Sequence, residues 1–391
     1  MPIINRIAEL QDEIVAWRRH LHERPELGFE EHETAAFVAE KLRSFGVDEV
    51  HTGIGRTGVV GVLRAGRSER RIGLRADMDA LPIQEETGLP WASKVPGRMH
   101  ACGHDGHTAM LLGAARYLAE TRNFDGTVYL IFQPGEEGFG GGREMVRDGL
   151  LDRFPAERLF GLHNWPLAPA GSFAMCKGPA MAASDEFTIV MRGTGCHAAM
   201  PHLGRDPVVA AALLVQALQP VVAREVDPLD NGVVSVTRIA GGHAYNIVPE
   251  RVELWGTVRT FREETRQRLI RRVREVAEGI ALAQGLAAEV RILEGYPATI
   301  NSPHEAALGA DAAAEIVGEA KVDRDPAPCM GSEDFAFMLK ERPGSYIWMG
   351  TGRGEGDHPL HSPYFDFNDE ALALGVSYWA RLAERLLPKA A

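Results

Sequence analysis

Apolar residues recur at three- and four-residue steps at the start of the chain: Ile3, Ile4, Ile7, Leu10, Ile14, Trp17 and Leu21. That spacing is one face of a helix, and Pro25 predicts its end near Arg24. The pattern then changes to short, continuous apolar runs. Residues 59–63 and 72–76 read as strands, the second leading into Asp77-Met78-Asp79. A mostly apolar run over 106–120 predicts a helix buried on several sides. Residues 127–132 predict a strand ended by Pro134-Gly135, and 158–162 a shorter one ended by His163. Continuous apolar strands alternating with helices predict a sheet covered on both faces.

Near Ala183 the pattern changes again. Residues 187–191, 233–237, 251–258 and 288–293 read as strands, and the middle two alternate as half-exposed antiparallel strands do. Helices over 207–222 and 263–283 separate them, the second amphipathic and rich in Arg. The order β-α-β-β-α-β is that of a ferredoxin-like unit. After Pro297 the chain returns to helices and one apolar strand over 345–349. The predicted fold class is α/β: a mixed-sheet catalytic domain, 1–184 plus 297–391, carrying an inserted ferredoxin-like βαββαβ domain over 185–296.

The 391 residues exceed one ordinary core at about 150 residues per domain, which agrees with this division. A formal net charge of -12 repels phosphate backbones, so nucleic acid is not an expected partner. No window approaches 18 apolar residues, so no membrane span is expected. Glu9, Asp12 and Glu13 interrupt any signal-peptide core. The four cysteines, Cys102, Cys176, Cys196 and Cys329, are too few to staple such a chain, and are expected to be reduced in the cytoplasm.

Chemistry concentrates in His100-Ala101-Cys102-Gly103-His104-Asp105-Gly106-His107. An extended segment points residues i and i+2 to one side, so Cys102 and His104 can face one metal ion. Thiolate and imidazole both suit zinc, cobalt, nickel or manganese-type sites. A chance Cys/His cluster is the alternative, and His107 has the spacing either to join or to stand by. A second cluster, Gln133-Pro134-Gly135-Glu136-Glu137-Gly138, follows a buried strand, where open α/β sheets place their sites. Adjacent carboxylates diverge, so one can bind metal while the other faces a bound water; a solvated acidic turn is the bland alternative. His163 and His361 each read singly as structural histidines. Taken together, Cys102, His104, Glu137, His163 and His361 all fall at strand ends or loops, and five ligands suit two metals with open positions. His20 and His22, about 200° apart on a helix, are set aside as residues that cap or decorate it.

With these motifs assembled, the chain resembles the hippurate hydrolase and N-acyl-amino-acid amidohydrolase family, within the aminoacylase and carboxypeptidase group of dinuclear metallohydrolases. Plant auxin-conjugate hydrolases and N-acetyl-diaminopimelate deacetylases are similar. Besides the two clusters, Arg18 to Glu26, Leu74 to Pro82, Gly195-Cys196-His197, Tyr245 to Pro249, Gly331 to Phe335 and Leu360 to Pro363 carry the resemblance. It implies that Cys102, His104, Glu137, His163 and His361 bind two divalent ions (Zn, Mn, Co or Ni) and that Glu136 is the general base. The wider group has a His-x-Asp pair where this chain has Asp77-Met78-Asp79, so the first histidine is absent and the bridging ligand stays open. Asp79 is then expected to orient a ligand. The inserted domain becomes a lid that mediates a homodimer or higher assembly. His197 would reach the reacting carbonyl from the partner subunit, and Asn246 and Arg259 would bind the substrate's polar end, with Gly331-Ser332 adding backbone donors. The expected substrate is a small N-acyl amino acid. A dipeptidase or carboxypeptidase on the same scaffold, a thiol hydrolase using Cys102, and a silent binding protein are the rival readings.

Overall fold

The structure is a computed structural model that describes residues 4–389. The chain divides into two compact units: one comprises the stretch up to Ala180, Thr299–Pro328 and the chain from Asp334, and the other Met181–Ala298 with Cys329–Glu333.

The first unit is built on an eight-stranded mixed sheet in the order Glu49–Ile54, Gly58–Ala65, Gly126–Gln133, Arg71–Asp77, Arg158–Pro169, Gly344–Gly352, Phe173–Ala174, Val322–Asp323. The four strands from Gly126–Gln133 to Gly344–Gly352 run parallel. Their residues are buried almost without interruption, because helices cover both faces. One face packs Leu74, Leu130, Phe160 and Ile347 into a core shared with the helices Gln11–His22, His104–Thr121, Pro303–Val317 and Leu372–Leu386. The helix His104–Thr121 is buried along nearly its whole length, as its unbroken apolar run predicted.

Three local expectations change. The N-terminal stripe forms two helices, Asn5–Glu9 and Gln11–His22, with Ile7, Leu10, Ile14, Trp17 and Leu21 buried; Ile3 lies outside the described residues. The edge strand Glu49–Ile54, half-exposed and polar, has no apolar run to announce it. His163 does not end its strand. Pairing of His163, Asn164 and Trp165 with Trp348, Met349 and Gly350 carries that strand on to Pro169.

The second unit is a four-stranded antiparallel sheet in the order Gly232–Ala240, Arg251–Thr260, Ala183–Arg192, Ala287–Tyr296. Two helices, Pro207–Glu225 and Glu263–Ala283, cover one face, closing a core of Phe187, Ile189, Leu214, Leu254 and Leu269. Asp206 caps the first helix by accepting from Val208 N at 2.8 Å, and Pro207 starts it at a position that needs no N–H. This helix corrects the reading that no window nears a membrane span. It is long and apolar enough to cross one, with mean hydropathy 1.5, although its Ala211, Leu214, Leu218 and Val221 pack on the sheet.

Asp185 joins three elements of this unit. Its carboxylate accepts from Arg266 Nε and Nη2 at 2.8 and 2.6 Å and from Gly295 N at 3.1 Å, and both charged partners are buried. Removing one partner strands the other as a buried unpaired charge. Arg266→Ala is expected to destabilise this unit by about 3–5 kcal/mol. Urea denaturation followed by circular dichroism checks this, and an unfolding curve unchanged from the wild type would contradict it.

Candidate metal centre

The central strands run parallel, so their C-terminal ends gather at one edge of the sheet, where the connecting segments meet. The Arg71–Asp77 strand delivers Asp77 and Asp79 there. Gly126–Gln133 delivers Glu136 and Glu137 on the turn that follows, and Arg158–Pro169 delivers His163. The helix His104–Thr121 starts at the same place. Gly103 precedes it with φ +93°, and a Cβ there would lie 2.4 Å from Asn164 Oδ1, so only glycine lets the Cys102–His104 turn approach this closely.

Two buried aspartates organise the imidazoles. Asp79 meets His104 Nδ1 through its backbone carbonyl at 2.9 Å and Oδ1 at 3.2 Å, while its Oδ2 accepts from Glu137 N at 2.9 Å. Asp77 accepts from His107 Nδ1 at 2.5 Å and from Arg75 Nη1 at 2.7 Å. With Nδ1 committed, His104 Nε2 is buried without a hydrogen-bond partner among the described residues. His163 Nδ1 donates to Asn164 O at 2.7 Å, and its Nε2 stands 3.4 Å from Cys102 Sγ. His361 Nε2 stands 3.2 Å from Glu137 Oε1, and the His361 N–H donates to Ala101 O at 2.8 Å.

These side chains fall into overlapping donor groups. Cys102, His104 and His163 offer ligand atoms within 4.8 Å of one another, as do Cys102, Glu137 and His361, and also His104, Glu136 and Glu137. All five residues singled out as ligands therefore meet in one place, with Cys102 common to two groups. The donor set fits a divalent cation. An imidazole nitrogen with its other nitrogen fixed on a carboxylate is the usual presentation of a histidine ligand, and a thiol and a carboxylate complete it.

Electrostatics point the same way. Burial pushes the Cys102 thiol well up, and Glu137 and Glu136 push it further. Burial opposes charge on His104, but Asp77, Asp79 and Glu137 outweigh it and raise this imidazole to about 10. Burial lowers His163 well below its ordinary value, with His107 adding to the effect. The hydrogen bond to Glu137 raises His361.

Two histidines take places that the sequence left open or misread. His107 is fixed between Asp77 and Asn164, with Asn164 Oδ1 at 2.7 Å from its Nε2. His22 is not a decoration of its helix. It is fully buried, and its Nδ1 lies 2.8 Å from Asp105, the neighbour of His104. The 200° rotation still separates the pair, since His20 instead stacks on Phe37. The remaining candidates lie in the second unit. The short strand carrying His197, which is exposed, pairs with Ile247–Val248, and Ala198 N donates to Asn246 O at 2.9 Å, so His197 and Asn246 are neighbours. Arg259, half-buried, donates to its own strand at Val258 O, 3.1 Å. Gly331 N meets Cys329 Sγ at 3.2 Å.

The profile of peptidase family M20/M25/M40 matches residues 73–385. A hippurate hydrolase of Campylobacter jejuni is 43% identical, covering 99% of this chain and 100% of its own length. An N-acetyl-L-cysteine deacetylase of Bacillus subtilis is 43% identical, covering 97% and 90%. A solved structure, the Bacillus subtilis YXEP protein, described as a dinuclear metal-binding peptidase, superposes with TM-score 0.84 at 37% identity, covering 97% and 99%.

The His104 shift sets a pH dependence. Its pKa rises from 6.5 to about 10, so in the metal-free chain its charge stabilises the fold fully below 6.5 and loses that contribution as pH rises through 10. A metal ion held by His104 and Cys102 would displace that proton and the thiol's, so apparent affinity should increase with pH from about 7 to about 10. Calorimetry at pH about 8 in buffers of different ionisation enthalpy should register roughly one or more protons released per chain. Release of none would contradict the ligand assignment.

Proposed function

The chain belongs to peptidase family M20/M25/M40, and from that premise we propose that it hydrolyses the amide bond of N-acylated amino acids with two divalent metal ions and Glu136 as general base. The convergence of Cys102, His104, Glu137, His163 and His361 into donor groups that share Cys102, with Glu136 beside His104 and Glu137, carries this reading. Five ligands around two ions leave coordination positions for water and substrate. The mixed N, O and S donors suit Zn, Mn, Co or Ni, with thiolate favouring the softer ions. Relatives named for hippurate, N-acetylcysteine and IAA-amino acids share one bond type, an amide between an acyl group and an amino acid. Relatives from Saccharolobus solfataricus named thermostable carboxypeptidases, 38% identical, favour peptide cleavage as the second reading. Preference for acyl groups without an α-amine separates the two.

Bound metal would polarise the scissile carbonyl and lower the pKa of water toward about 7. Glu136, buried at the end of its strand, accepts the proton from the attacking water. It returns that proton to the leaving nitrogen, which would otherwise depart as an unstable amide anion. Asp79 holds His104 and the Glu137 amide in place meanwhile. We assign stabilisation of the developing oxyanion to His197 and recognition of the substrate carboxylate to Asn246 and Arg259. The adjacency of His197 and Asn246 and the planar fork of Arg259 support these roles. We also assign the second unit the role of lid and dimer contact, with His197 serving the partner subunit. The exposed Val208 and Val209 on Pro207–Glu225 support a covered face there.

Glu136→Gln keeps the size of the side chain but cannot accept a proton. It is expected to lower the turnover of hippurate by on the order of 10²–10⁴ while retaining wild-type metal content. Glu137→Gln is expected to lose metal instead. Steady-state kinetics with elemental analysis checks both, and metal loss in the first variant with retention in the second would reverse the two roles.

A further inference from the structure

The turn that carries Glu136 is held from both sides. The amide after it, Glu137 N, donates to Asp79 at 2.9 Å. The amide before it, Gly135 N, donates to Glu31 Oε1 at 2.8 Å. Glu31 is fully buried, and its other oxygen accepts from Thr57 Oγ1 at 2.6 Å, which fixes the carboxyl in one orientation. Two buried carboxyls thus clamp the flanking amides of a single residue.

The segment bearing Glu31 is itself tightly fitted to this turn. Phe29 sits at φ +66°, a conformation disfavoured for a residue with a side chain. It is kept there by packing: its ring meets Phe139 edge-on at 5.8 Å, and the Arg56 guanidinium covers it at 4.1 Å. A Cβ on Gly28 would stand 2.4 Å from the Phe139 ring, and one on Gly135 3.3 Å from Phe29, so the two segments have no slack between them. Leu27 bridges Ala80, and Ala80 N donates to Glu26 O at 2.8 Å, tying the same segment to the stretch that bears Asp79.

We propose that Glu31 is a positioning residue, which, with Asp79, fixes the backbone on either side of Glu136 and so places the base against its water. This rests on the assignment of Glu136 as base. Burial, partly offset by the Thr57 hydroxyl and reinforced by Asp79, raises the Glu31 carboxyl to about 7, yet Oε1 accepts the Gly135 N–H with or without a proton on the group. The role is therefore one of geometry, and glutamine can fill it.

Glu31→Met and Glu31→Gln, each normalised to folded chain and to bound metal, separate this role from simple packing. The methionine variant has the length but no acceptor. It should lower kcat on hippurate by roughly 10- to 100-fold, since small misplacements of a reacting group carry losses of that order, with KM little changed. Hydrogen exchange across residues 134–138 should quicken. The glutamine variant should recover both. A methionine variant with wild-type kcat per metal-loaded chain, or a glutamine variant as slow as the methionine one, overturns the proposal. Should the methionine variant fail to fold, Thr57→Val leaves the carboxyl but removes the hydroxyl that orients it, and must lower kcat in the same sense; unchanged kcat there overturns the proposal too. Glu136→Gln in the same assay keeps the two claims apart. If it retains its rate, the base assignment fails, whereas a slow Glu136→Gln beside an unaffected Glu31→Met rejects Glu31 alone.

Discussion

Asp79 holds two parts of the site with one side chain. Its carboxylate and carbonyl fix His104 Nδ1, and its second oxygen takes the amide of Glu137. The tautomer of one candidate ligand and the backbone of another therefore depend on a single buried group. A buried carboxylate is costly unless its lone pairs are filled, and this one is filled by the His104 imidazole and the Glu137 amide. Asp77 repeats the arrangement with Arg75 and His107. The parallel sheet makes this possible by ending its central strands together, so residues far apart in sequence arrive at one edge already aimed.

The same crowding explains the electrostatics. Asp77, Asp79, Glu136 and Glu137 bring negative charge to a place from which water is largely excluded. In the metal-free chain a proton on His104 balances part of it, and burial together with the nearby carboxylates keeps the proton on the Cys102 thiol. Divalent cations meet that demand more completely than protons do. Donor atoms held by second partners lose little freedom when an ion binds, which is the physical content of a pre-organised site.

Much of this was legible from residue order. Continuous apolar strands between helices gave the doubly covered sheet, and the i, i+2 spacing placed Cys102 and His104 together, as the donor groups bear out. Alternation read the half-exposed sheet of the second unit correctly. What escaped lies in contacts that no periodicity encodes. His22 reaches Asp105 across 83 positions and Gly135 reaches Glu31 across 104; a buried polar pair carries no apolar pattern to betray it. His163 seemed to end a strand because Asn164 and Pro166 follow, yet pairing with the neighbouring strand overrode that local signal. The polar edge strand Glu49–Ile54 was missed because its side chains lack the apolar run that marked the others.

The central claim is that the gathered donors hold two ions that the reaction requires. Stripping the protein with chelator and titrating it with a divalent metal, while following hippurate hydrolysis and bound metal together, tests it directly. The expected result is an inactive stripped chain whose rate rises with occupancy and saturates near about two ions per chain. Full activity in the stripped chain would contradict the account.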